Sequence, residues 1–61
     1  MLFLEIKTDT GVEIFKLHSD SKRYMKLKKE LLSRFKEDTP VTVTDKGEIK
    51  DVLKLGDMFG G

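Results

Sequence analysis

The sequence predicts a small α+β domain, ββαββ or ββαβα, with one amphipathic helix packed on one face of a mostly antiparallel sheet. Three observations lead there. The segment Lys22–Phe35 places Tyr24, Leu27, Leu31 and Phe35 at helical spacing, with Met25 and Leu32 widening the stripe. On either side lie short runs rich in β-branched, aromatic and aliphatic residues, each containing a glycine-bearing turn. Finally, 61 residues leave room for one small core. A chain of that size buries only about 60% of the surface its unfolded form exposes, so its stability is marginal without help. No cysteine is present to staple it. Good packing or self-association must supply the remainder.

The first pair of strands is Met1–Lys7 and Val12–His18, joined through Thr8-Asp9-Thr10-Gly11. Two registers compete. A tight turn centred on Asp9-Thr10 pairs Ile6 with Glu13 and Leu4 with Phe15, gathering Leu2, Leu4, Ile6, Phe15 and Leu17 on one face. A type I turn with Gly11 in a bulge pairs Ile6 with Ile14 and gathers Leu2, Leu4, Ile6, Val12 and Ile14 instead. The turn residues favour the bulge and the cleaner apolar face favours the tight turn. A slip of one residue exchanges the two faces of a strand, so both stand at this level.

Phe3 is stranded on the second face in either register. Val12 and Ile14 join it in the tight-turn register. One helix covers one side of a small sheet, so the other side needs the C-terminal segment, a second copy of the chain, or a partner. Phe3, Val12 and Ile14 are therefore the candidate association face.

The helix is expected to begin at Ser19-Asp20-Ser21, where a side-chain oxygen can accept a free backbone N–H, and to end near Glu37-Asp38 before Pro40. Pro40–Thr44 reads as a strand and Asp45-Lys46-Gly47 as a second turn, similar in form to Asp9-Thr10-Gly11. After it, Ile49, Val52 and Leu53 fit a short helix, whereas Ile49, Leu53 and Leu55 fit a strand interrupted by Asp51. Gly56-Asp57 is expected to end that element. The organisation is then a single domain over residues 1–57 and a short tail over 58–61.

Charge is unevenly distributed. The net formal charge is +1, but residues 19–40 carry seven bases and four acids, while the segments before and after each sum to −1. Lys22, Arg23, Lys26, Lys28 and Lys29 crowd the first two helical turns, where the helix dipole prefers acids. Lys22, Arg23, Lys26 and Lys29 form the candidate surface for an anionic partner, spread over a broad arc. Lys28 points toward the apolar stripe, with its stem along the core edge. Nucleic acid is one partner such a face fits, although no helix-turn-helix, zinc framework or base-stacking motif accompanies it. A solvated helix face is the ordinary explanation of such a run.

Little else suggests chemistry. His18 stands alone at a strand end with no nucleophile placed beside it. Asp45, Glu48 and Asp51 lack the spacing of a calcium loop, and the glycines form no phosphate-cradling motif. No catalytic, cofactor-binding or metal-ligating residues are expected, and no enzyme. No apolar run approaches the roughly 20 residues a membrane span needs. A reducing, cytoplasmic setting fits the lack of cysteine.

Leu55-Gly56-Asp57 followed by Gly60-Gly61 loosely resembles the ending of the ubiquitin-like sulfur carriers, small domains whose C-terminal carboxylate is activated and converted to a thiocarboxylate. The resemblance implies an alternative role in which Gly60 and Gly61 thread an activating site. It departs from that family in having only Met58 and Phe59, and no strand, before the terminal glycines. The main expectation is a small non-enzymatic interaction or regulatory module that binds a protein or itself, with homodimerisation as its simplest form.

Overall fold

The computed structural model describes residues 1–59. Four strands form one antiparallel sheet in the order β2-β1-β3-β4: β1 Leu2–Thr8, β2 Gly11–Leu17, β3 Pro40–Asp45 and β4 Glu48–Lys54. Helix α1, Ser21–Arg34, connects β2 to β3, and a short helix α2, Leu55–Phe59, follows β4. Because β2 and β3 both run antiparallel to β1, they are parallel to each other, and α1 is the crossover between them. The two C-terminal alternatives thus both hold in part: residues 48–54 are a strand, and a helix comes after it.

The first hairpin takes the tight-turn register, pairing Leu4 with Phe15, Ile6 with Glu13 and Thr8 with Gly11. Burial of a coherent apolar face outweighs the turn preference for a bulge. Leu4 and Ile6 lie fully inside, and Phe15 and Leu17 pack against the same core. Gly11 absorbs the distortion at φ +136°, and the Thr8 hydroxyl donates to the Gly11 carbonyl at 2.9 Å.

The second turn differs from the first despite the similar residues. It centres one position later in the motif, on Lys46-Gly47, with both residues at positive φ (52° and 82°) and Asp45 facing Glu48. The residue equivalent to Lys46 in the first hairpin is Thr10. Its branched Cβ opposes positive φ, which moves the earlier turn back by one residue.

Helix α1 is capped by Asp20, whose carboxylate accepts from the Lys22 N–H at 3.0 Å. It ends at Phe35, earlier than the proline rule alone suggests. Phe35 turns to extended backbone (φ −126°, ψ 156°) and packs against the core, and Pro40 opens β3. Leu31 is the buried centre of the helix. Tyr24, Leu27 and Phe35 flank it, whereas Met25 and Leu32, expected to widen the stripe, remain exposed. Seven positions apart, they share one flank outside the buried arc.

Met58 and Phe59 are not a loose tail. Gly56-Asp57 lies within α2, which folds back so that Leu55 and Phe59 join Leu4, Ile6, Leu31, Val41 and Val43 in the core. Backbone hydrogen bonds from Leu55 N–H to the Thr39 carbonyl (2.9 Å) and from Gly56 N–H to the Glu37 carbonyl (2.8 Å) fix that return. The C-terminal segment therefore thickens the helix side of the sheet. Gly60 and Gly61, the alternative carrier terminus, lie outside the described residues.

Candidate functional site

The sheet side opposite α1 presents two cross-strand rows. One runs Ile14, Glu5, Thr42 and Val52; the other runs Lys16, Phe3, Thr44 and Ile49. A β-bulge beside Val43 and Thr44 leaves Lys50 without an opposite residue. It puts Ile49 and Val52, three positions apart, on the same side of the sheet. In regular alternation one of them would face the helix. Ile14, Ile49 and Val52 are 61%, 68% and 59% exposed, and Val12 adds a fourth exposed apolar side chain at the margin. Phe3 is half-buried near the middle, beside the well-buried Thr44.

The expected association residues Phe3, Val12 and Ile14 are thus brought to one face. Ile49 and Val52 complete it, and sequence reasoning passed over them because a bulge leaves no mark in simple alternation. No described helix covers this face. It is not purely apolar: Glu5 sits within it, with Lys7 and Lys16 on neighbouring positions of the same side.

The basic residues of α1 separate into two groups. Lys22, Lys26 and Lys29 follow i, i+4, i+7 spacing and form a row along the exposed side, and Arg23 widens it into the expected broad arc. None of the three lysines has a carboxylate within salt-bridge distance among the described residues. The Arg23 Nε lies 3.9 Å from an Asp20 carboxylate oxygen. Lys28 is half-buried, as its position beside the stripe implies.

Arg23, together with Lys26 from that row, borders a groove between α1 and the edge strand β2. Ile14, Phe15 and Leu27 provide apolar lining, Lys16 and His18 line it from the strand and its end, and Glu30 is its one acid. Nearby, an Arg34 Nη–H donates to a Glu13 carboxylate oxygen at 2.7 Å and ties α1 to β2. The guanidinium also lies over the rings of Phe35 (5.1 Å) and Phe15 (5.9 Å).

Among the described residues no three His, Asp or Glu side chains gather as a metal-binding group. No buried side-chain nitrogen or oxygen lacks a hydrogen-bond partner there. No described helix is long and apolar enough to cross a membrane. Comparison with protein-family models, curated proteins and solved structures returned no match.

Proposed function

We propose that the protein is a small, non-enzymatic interaction or regulatory module whose open sheet face docks on a second copy of the chain. The observation that carries this reading is the cluster of Ile14, Ile49 and Val52, each more than half exposed, around Phe3 on a face that no described element covers. The choice of a second copy rests on charge and area. A two-fold interface sets each patch against itself, and this one carries both signs, so Glu5 of one copy can meet Lys16 or Lys7 of the other. The molecule measures 25 × 24 × 20 Å. Covering a four-stranded face on each copy removes about 1,000 Å² in total, near the lower bound of a specific interface. The expected dimer is consequently weak, with dissociation on the order of micromolar.

Sedimentation velocity across a concentration series tests it. The native chain is expected to pass from monomer to dimer. Ile14→Lys combined with Val52→Lys should remain monomeric with an unchanged far-ultraviolet circular dichroism spectrum, because both positions are exposed. A native chain that stays monomeric to about millimolar concentration, where even a very weak dimer would be seen, overturns the reading. So does a doubly substituted chain that dimerises as before.

A second reading, nucleic-acid binding, is supported by the row Lys22, Lys26 and Lys29. Three phosphate contacts predict a log–log salt slope of about −2 to −3 for the association constant, reduced by about one for each lysine replaced by glutamine. Absence of binding to single- or double-stranded oligonucleotides at low salt removes it.

A further inference from the structure

The two edges of the sheet are unlike. β4 carries the Lys50 bulge and a mixture of Glu48, Lys50, Asp51 and Lys54, devices that discourage another strand from pairing there. β2 is less protected: it carries Glu13 and Lys16 but no bulge. Its seven residues pair with β1 without interruption, contain no proline, and leave the opposite edge unpaired. Every second residue of such an edge presents an N–H and a C=O outward at the repeat another strand requires.

Beside that edge runs the groove under α1. Lys16, Arg23 and Lys26 set three permanent cations around its apolar lining of Ile14, Phe15 and Leu27, against the single carboxylate of Glu30. Arg23 is held only by a loose, exposed contact with Asp20 at 3.9 Å, which a ligand carboxylate can replace.

We infer that the β2–α1 groove binds an extended acidic peptide, added to β2 as a fifth strand. The backbone row supplies the register. The cations of α1 select acidic side chains on the helix side of the added strand, and alternate apolar side chains continue the face occupied by Ile14. Nucleic acid satisfies the cations but leaves the backbone donors and acceptors of β2 without partners, so a peptide is the better match. This inference rests on the free edge of β2 and the cations of α1 and stands without the proposed dimer, although Ile14 and Lys16 border both surfaces.

The test is fluorescence anisotropy with a labelled peptide of about six residues alternating glutamate and valine, a length that spans the free edge of β2. A control peptide has the same sequence and charge but carries N-methyl groups on alternate backbone nitrogens, which removes its strand-forming donors. The parent peptide is expected to bind. N-methylation should weaken it by at least about tenfold, and so should Arg23→Glu combined with Lys26→Glu. Amide resonances of residues 12–17 should move on titration. Equal binding of the methylated peptide, displacement by a single-stranded oligonucleotide of equal charge, amide shifts confined to the opposite face of the sheet, or no binding would each overturn the inference.

Discussion

The ring of Tyr24 meets the ring of Phe59 edge-on, with centroids 5.5 Å apart and planes inclined at 63°. This contact joins the first turn of α1 to the last residue of α2, and Phe59 is only 3% exposed. Truncating a buried phenylalanine costs about 3–5 kcal/mol. The total stability expected of a chain this short is roughly 3–9 kcal/mol. Phe59→Ala should therefore remove at least about a third of the stability, as urea titration will measure. Tyr24→Leu keeps most of the apolar volume and should cost about 1 kcal/mol, the part due to ring geometry.

Gly56 is required by proximity. A Cβ built there would stand 3.0 Å from the Glu37 Cβ and 3.3 Å from the Glu37 carbonyl oxygen, which already accepts the Gly56 N–H. Gly56→Ala should destabilise by about 1–2 kcal/mol through local overpacking. In a Glu37→Gly background the same substitution should cost less, with a coupling of at least about 0.5 kcal/mol in a double-mutant cycle.

Lys46 sits at φ 52° in the second turn, which strains any side chain other than asparagine, aspartate or glycine. Lys46→Asn should raise the unfolding free energy by about 0.5–1 kcal/mol. Thr10→Asn, at a position of the first hairpin without positive φ, should give no comparable gain. Thermal melts of the two variants side by side distinguish them.

Arg34 combines an ion pair and two aromatic contacts in one side chain. Its partner Glu13 is 40% exposed, so their attraction is screened and contributes well under 1 kcal/mol. Lying over Phe35 and Phe15 adds about 0.5–1 kcal/mol. Arg34→Ala should cost about 1 kcal/mol in dilute buffer, and about half of that loss should persist at roughly 1 M salt. If the full loss disappears with salt, the aromatic contacts contribute nothing.

The sequence was most readable where one periodicity governed a whole element. The apolar repeat of Tyr24, Leu27, Leu31 and Phe35 defined α1, and the Asp20 cap fixed its start. The first hairpin was readable only to two registers, because local turn preference and face burial pointed in different directions. Burial won, as expected when Leu4 and Ile6 are both fully enclosed. At the C-terminus two irregularities concealed the pattern. The bulge at Lys50 broke the alternation of β4, and the hydrogen bonds from Leu55 and Gly56 to Thr39 and Glu37 turned a supposed ending into a core element. Such bonds depend on chain segments far apart in sequence and leave no local signature. The candidate association face was half legible for the same reason: Phe3, Val12 and Ile14 follow simple alternation, whereas Ile49 and Val52 do not.

The unmatched Lys50 also makes the last hairpin unusually forgiving of a change in length. Every other residue of β4 already has a counterpart on β3, from Glu48 opposite Asp45 to Lys54 opposite Pro40. Excising Lys50 would close the ladder into uniform alternation while each remaining side chain kept its present orientation. Adding a residue elsewhere in β4 has the opposite effect, inverting everything between the insertion and the turn. The hairpin thus carries one link of slack, and it is held at a single place.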